Sequence, residues 1–227
     1  MIELWREWLY PLGFLSSLAF TARMLVQWLS SESQGKSFVT PLFWKLSLIG
    51  NTTLAIHSLL QVQFHVCLIQ VCNAIISWRN LNLMQSTEKQ ISTKSTIIFL
   101  CCGAYFTSVL FLLQGHYLLE NTQEWFRIPV TPWSHTQTPL HFAWHLFGFF
   151  GLALFSSRFW FQWWSAEKKQ RSYLGPTFWW ISLIGEAICL IYFVKIHDPV
   201  NFIGPAFAMI PYIRNLMLLK SPKASVT

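Results

Sequence analysis

The sequence states one pattern twice. Arg23, Gln27, Trp28, Ser30, Glu32, Ser37, Pro41, Phe43, Trp44, the run Ser47-Leu48-Ile49-Gly50 and the triplet Arg79-Asn80-Leu81 all recur 135 residues later. Their counterparts are Arg158, Gln162, Trp163, Ser165, Glu167, Ser172, Pro176, Phe178, Trp179, the run Ser182 to Gly185 and Arg214-Asn215-Leu216. Residues 13–83 align with 148–218 without a gap, and 22 of the 71 positions are identical. A fixed internal period of this kind means two copies of one supersecondary unit, so both copies are expected to share one fold.

Composition says what that unit is. The chain is 53% hydrophobic and 11% charged, with a mean hydropathy of +0.40. Soluble domains carry about 25% charged residues, so this reads as a polytopic membrane protein. The net charge of +7 is spread between apolar segments, which points to membrane orientation and anionic lipid, not to nucleic acid. Five cysteines (Cys67, Cys72, Cys101, Cys102 and Cys189) all lie in apolar runs and form no Cys-x-x-Cys pair. They read as small buried hydrophobes, with neither a disulfide framework nor a zinc site indicated. Glu3 and Glu7 replace the basic start of a signal peptide, and no small-residue cleavage site follows. The first apolar segment is expected to be retained.

Apolar runs near the twenty residues needed to cross a bilayer predict seven helices: about Leu9–Leu29, Pro41–Leu60, Val66–Leu83, Ser95–Gly115, Leu140–Trp164, Pro176–Lys195 and Pro199–Leu219. The expected domains are a three-helix repeat in 1–86, a linker helix and outer loop in 87–138, and a second three-helix repeat in 139–227. Three crossings reverse the chain, so the single linker helix returns the second repeat to the direction of the first. That gives two parallel repeats about an axis along the membrane normal, as in the SWEET transporters. With the N-terminus outside, thirteen Lys and Arg fall on the inner side and only Arg6, Arg127 and Lys195 on the outer. This bias predicts a cytoplasmic C-terminus.

The polar residues inside these segments are the candidate sites. Arg23 and Gln27 share a helix face, as do Arg158 and Gln162. Arg79-Asn80 and Arg214-Asn215 end the third helix of each repeat on the same side. Together they suggest two basic pockets near the inner headgroups, since arginine offers phosphate a planar fork of donors. The alternative is that these arginines snorkel to the interface and pair with Glu32 and Glu167. Glu186 is an acidic residue well inside the sixth helix, and its counterpart in the first copy is Asn51. With Asn73 these form either a central polar site or an interhelical hydrogen-bond clamp.

Six of the seven histidines (His65, His116, His135, His141, His145 and His197) fall near the outer face. His141 and His145 are spaced i, i+4 but lack an acidic third ligand, so they join an interfacial belt with Trp125, Trp133 and Trp144, and no metal site is expected. The runs Phe159-Trp160-Phe161, Trp163-Trp164 and Trp179-Trp180 suit the inner lipid interface. There is no Ser-His-Asp set, no Gly-rich phosphate loop and no carboxylate pair for glycosyl transfer. No catalytic residue and no cofactor are expected.

The repeated set Arg23, Gln27-Trp28, Ser37, Pro41, Phe43-Trp44, Ser47, Gly50 and Arg79-Asn80-Leu81 resembles the lipid-A-disaccharide synthase N-terminal domain family. That family is a small membrane module distantly related to the PQ-loop and SWEET transporters, and its pattern appears here twice. The resemblance implies a role in lipid A (lipopolysaccharide) biosynthesis at the bacterial inner membrane, with the N-terminus periplasmic. The partners it implies are membrane lipids, with a lipid A precursor or polyprenyl-phosphate sugar as ligand, or a cytoplasmic glycosyltransferase tethered at the inner leaflet. Glycosyltransferase activity comes from the resemblance alone, because the doubly wound catalytic unit has no counterpart within these 227 residues. This chain is not expected to form the glycosidic bond by itself. The alternative is a SWEET-like or PQ-loop-like transporter or flippase for a sugar or sugar-lipid, although the Pro-Gln dipeptide that names the PQ-loop proteins is absent.

Overall fold

The computed structural model describes residues 9, 11–118, 141–195 and 199–219, and the side chains of all of these except 118, 145 and 199–205. The N-terminal Glu3, Arg6 and Glu7, the outer loop beyond residue 118 with Trp125, Arg127, Trp133 and His135, the side chain of His145, His197, and the terminal Lys220 and Lys223 lie outside the described residues.

The described chain is all-helical. Seven α-helices follow one another: α1 Leu12–Gln34, α2 Pro41–Leu60, α3 Phe64–Leu83, α4 Thr93–Leu118, α5 Phe142–Lys169, α6 Pro176–Lys195 and α7 Pro199–Leu219, with a short 3-10 turn at Thr87–Lys89. Proline opens α2, α6 and α7, where its missing N–H is one the helix leaves unbonded anyway. Thr40 Oγ1 accepts the Phe43 amide at 3.3 Å and caps α2.

Two helices outrun their apolar segments. α1 continues to Gln34 and α5 to Lys169, each about a turn beyond the expected hydrocarbon edge. They stop at Gly35 (φ 63°) and Gln170 (φ 50°), which are equivalent positions in the two copies. A left-handed residue ends a helix by turning its last carbonyls back on themselves. Here the Gly35 amide donates to Glu32 O at 3.2 Å and the Gln170 amide to Glu167 O at 3.3 Å.

The residues separate into two compact units, up to residue 20 with 45–137, and 21–44 with 138–227. In the first, the start of α1 packs on α2, where a Cβ on Gly50 would meet the Phe20 ring and one on Gly13 would meet His57. Val62, at φ 59°, makes the tight turn into α3. It is buried with Ala55, Cys67 and Phe111, and Leu59, Phe64 and Val71 pack against this cluster. An open apolar groove of about 390 Å³ is lined by Leu48, Ala74, Ile75, Trp78 and Phe99.

The second unit is built from the later half of α1, the link to α2, and helices α5 to α7. α5 and α6 approach closely through small residues: a Cβ on Gly185 would lie 2.8 Å from the Phe155 backbone nitrogen, and one on Gly151 would lie 2.6 Å from Ile188. Small residues at such contacts are how helices approach where lipid removes the usual hydrophobic drive.

The polarity is inverted relative to a soluble domain. Leu18, Phe106, Phe149 and Phe207 face outward, whereas Arg23, Gln27, Asn51, Arg158, Glu186 and Asn215 are buried. Three helical stretches among the described residues, Leu12–Gln34, Thr87–Tyr117 and Pro176–Lys195, are long and apolar enough to cross a membrane. Large apolar side chains on the exterior with polar groups buried among apolar ones are compatible with membrane association.

Candidate functional site

The second unit carries a buried cationic cluster. Arg23 on α1 and Arg158 on α5 occupy the same place in the two copies, and they are 5% and 3% exposed. The ring of Phe159 lies near both guanidiniums, 5.1 Å from Arg23 Cζ and 4.9 Å from Arg158 Cζ. Phe43 lies 5.7 Å from Arg23, and Phe155 3.5 Å and Phe178 5.6 Å from Arg158. Aromatic faces stabilise a desolvated guanidinium through their quadrupoles while leaving its N–H donors directed elsewhere. Arg158 Nη1 donates to the Tyr212 hydroxyl at 2.9 Å. Its Nε has no hydrogen-bond partner among the described residues. Glu186 is buried on α6 within electrostatic reach of both arginines.

A ladder of polar pairs leads from this cluster toward the C-terminal end of α1. One turn along, Gln27 and Asn215 exchange amide hydrogen bonds of 2.8 and 3.0 Å. At the end, Arg214 donates to both oxygens of Glu32 at 2.5 and 2.9 Å. Arg23, Gln27 and Glu32 thus step along α1 toward its C-terminal end, nine residues spanning about 14 Å, with Glu32 on the opposite side of the helix from Arg23.

Around this ladder the two copies repeat each other's bonds. Trp28 Nε1 donates to Glu32 at 3.1 Å and Trp163 Nε1 to Glu167 at 2.9 Å. Gln27 reaches Phe38 O at 3.4 Å and Gln162 reaches Tyr173 O at 3.3 Å, each amide holding the link that follows its helix. Trp44 donates to Ser172 at 2.8 Å, and Trp179 donates to Ser37 at 3.1 Å, a reciprocal exchange between copies. These residues are positioned as scaffold. Arg214, taken up by Glu32, is the one arginine of the set whose ion pair is half exposed, at 41% and 35% side-chain accessibility.

The remaining candidates belong to the first unit. Arg79 is buried and donates to Asn82 Oδ1 at 2.7 Å. Asn82 in turn accepts the Ile91 amide and donates to Lys89 O, which pins the loop after α3. Asn80 bonds back to Ile76 O at 3.0 Å, as Asn215 does to Pro211 O at 2.8 Å. Asn51 donates to Ser77 at 3.1 Å, and Asn73 Oδ1 is buried with no hydrogen-bond partner among the described residues. The structure therefore brings Arg23 and Arg158 together with Glu186 in electrostatic reach, and puts Gln27, Asn215 and Arg214 nearer the C-terminal end of α1. Asn51, Asn73, Arg79 and Asn80 fall in the other unit.

Tyr212 escaped the sequence reading, and Phe159, expected with Trp163 and Trp179 at the lipid interface, is instead buried as they are, near both guanidiniums. Tyr212 stands where the first copy has Ser77, and Glu186 where it has Asn51. The neutral hydrogen-bonded pair of one copy is replaced by an ionisable pair in the other. Comparing the copies for differences as well as identities would have flagged Tyr212. His141, read as interfacial, accepts the Ala143 amide on Nδ1 at 3.3 Å and caps α5.

The family model described as Lipid A Biosynthesis N-terminal domain matches the chain twice, at residues 12–82 and 147–217, so the matches are themselves 135 residues apart. The lipid-A-disaccharide synthase of Chlamydia pneumoniae is 35% identical over 217 residues, covering 96% of this chain and 34% of that protein. The synthase of Chlamydia muridarum is 37% identical over 212 residues, covering 93% of this chain and 34% of that protein. That of Chlamydia felis is 35% identical over 211 residues, covering 93% and 33%. The chain thus spans about a third of the length of these curated relatives. No solved structure matches it. With two tandem family matches and near-complete coverage by these relatives, the chain belongs to the Lipid A Biosynthesis N-terminal domain family.

Proposed function

We propose that this chain is a membrane module of lipid A biosynthesis that holds a phosphorylated, lipid-linked saccharide at the cytoplasmic leaflet for a glycosyltransferase. The observation that carries this reading is the buried pair Arg23 and Arg158, two guanidiniums set among aromatic rings. Arginine stays protonated, and basic pockets between membrane helices suit anionic lipid heads. Gln27 with Asn215, and Glu32 with Arg214, add polar groups between the cluster and the C-terminal end of α1. Bond formation, the activity named for the relatives, is assigned here to the part of those proteins that this chain does not match.

The same proposal includes the arrangement around the site: seven crossings, two parallel three-helix repeats (1–86 and 139–227) joined through 87–138 in the SWEET manner, and an inner-membrane protein with its C-terminus in the cytoplasm. The strong inner bias of Lys and Arg supports it. Neither the matched relatives nor the described geometry adds support to a transporter.

Native mass spectrometry of the purified protein tests the ligand. A phosphorylated glycolipid is expected on the wild type and is expected to be lost in Arg158→Ala that remains folded. Equal recovery from both proteins would refute the site. Single cysteines in a cysteine-free background, labelled from either side, test the topology: Lys89 is expected to label from the cytoplasm and His116 from outside. Labelling of both from one side would refute the crossing of α4.

A further inference from the structure

The open groove of the first unit has apolar walls throughout: Leu48 from α2, Ala74, Ile75 and Trp78 from α3, and Phe99 from α4. Its volume of about 390 Å³ is that of a small-ligand site. Trp78 is 38% exposed and meets the Phe99 ring edge-on at 5.6 Å. Because Phe99 meets Trp78 while Gly103 meets Ile75, α4 runs opposite to α3. The tight turn at Val62 reverses α2 into α3 in the same way, so α2 and α4 start at one end of the groove. That end is cationic. Lys45 lies one turn before Leu48 on the same face of α2, and Lys94 five residues before Phe99, about 4.5 and 7.5 Å along their helices. Both are exposed, and with Lys89 they outnumber Glu88 in the link between α3 and α4.

The two copies differ at this place. α4 has no counterpart in the second copy. Ala74, the smallest residue lining the groove, becomes Met209, Trp78 becomes Ile213, and Lys45 becomes Trp180. The small residue and the cation occur together in one copy, and a long side chain and an apolar ring replace them in the other. A gap left by imperfect packing requires no cation at its end.

Resting on the proposed membrane crossing, and not on the arginine site, we infer that this groove holds one acyl chain of an anionic phospholipid of the surrounding bilayer, with its phosphate against Lys45. The size of the groove favours a narrow flexible chain over a second helix, since one helical turn about 10 Å across already fills about 420 Å³. The apolar walls take the methylenes, and the lysines at the end attract a negative headgroup.

Photolabelling in phosphatidylcholine vesicles tests this, with a diazirine on the acyl chain of either a phosphatidylglycerol or a phosphatidylcholine probe. The anionic probe is expected to label Ala74 to Trp78 or Phe99 about fivefold more than the zwitterionic one, the contribution of one lysine near a lipid phosphate. Lys45→Ala, a change at an exposed position, is expected to abolish that preference. Ala74→Met, which installs the second copy's residue, is expected to lower groove labelling by both probes and to leave label on the exposed Phe149 of α5 unchanged. Equal labelling by the two probes in the wild type, or a preference that survives Lys45→Ala, overturns the anionic-lipid assignment. Groove labelling unchanged in folded Ala74→Met shows that the chain lies elsewhere. If the groove takes no label and Ile75→Cys cross-links two copies in a cysteine-free background, the surface belongs to a second copy instead. Label absent from all of α2 to α4, with Lys89→Cys and His116→Cys reacting from one side, removes the membrane crossing itself. Failure of the groove with the crossing intact removes only this lipid site and leaves the role of Arg158 untouched.

Discussion

Arg158 and Arg214 both come from the second copy, yet their surroundings set their contributions far apart. Arg214 pairs with Glu32 where both side chains are more than a third exposed, so solvent screens the pair and it contributes little. Arg158 is buried against Phe155 and holds the Tyr212 hydroxyl, with Glu186 in reach. Removing Arg158 takes away that packing and a hydrogen bond from a charged group to the buried Tyr212 hydroxyl, at a cost of about 1.5–3 kcal/mol. Arg158→Ala is accordingly expected to lower the thermal midpoint in detergent far more than Glu32→Gln, with Tyr212→Phe between them at about 1 kcal/mol for one hydrogen bond. Finding Glu32→Gln to be the most damaging of the three would mean that the ion pair, and not the cluster, holds this unit together. The arginines were legible in the sequence because duplication repeated them. Tyr212 was not, because its significance lies in a contact with a residue 54 positions away and in a mismatch between copies.

Among the elements, the helix starts were easier to read than the helix ends. Pro41 and Pro176 declare where α2 and α6 begin, because proline is tolerated in the first turn and disfavoured beyond it. The ends of α1 and α5 follow backbone conformation, and the apolar run stops before the helix does. Gly35 and Gln170 take the same left-handed turn, a conformation that glycine adopts freely and glutamine only at a cost. The Gln170 side chain recovers part of that cost through its 2.6 Å bond to Glu167 O. Gln170→Gly is expected to stabilise the protein by about 0.5–1 kcal/mol and Gly35→Gln to destabilise it by a similar amount. Opposite shifts in midpoint for the two variants would be the supporting result, and shifts of one sign would show that the caps are not equivalent. Close packing sets the other limit on these elements. Gly185→Val would drive a side chain into the Phe155 backbone, for which about 1–3 kcal/mol of overpacking strain is expected. Gly115, with open space around its Cβ position, serves as the tolerant control.

At the scale of the whole molecule, chain order and packing follow different rules. The duplication and the apolar runs predicted two copies of one helical module, and both are present in the twin family matches and the seven helices. What periodicity could not indicate is that residues 21–44 of the first copy pack in one unit with the second copy. Those contacts are made by side chains that are common to both copies and so carry no mark of which copy they will meet. Asn215 depends on Gln27, Ser172 on Trp44, Trp179 on Ser37 and Arg214 on Glu32. A fragment of residues 139–227 alone would lose all four partners at once and leave buried amides and indole N–H groups unsatisfied, which is costly. It is expected to be degraded or to aggregate when expressed by itself. Co-expression with residues 1–138 is expected to restore a protease-resistant complex, since that piece brings back Gln27, Glu32, Ser37 and Trp44. A monodisperse, protease-resistant 139–227 fragment would show that the second copy folds without the first, and that the reciprocal tryptophan–serine bonds decorate the fold instead of determining it.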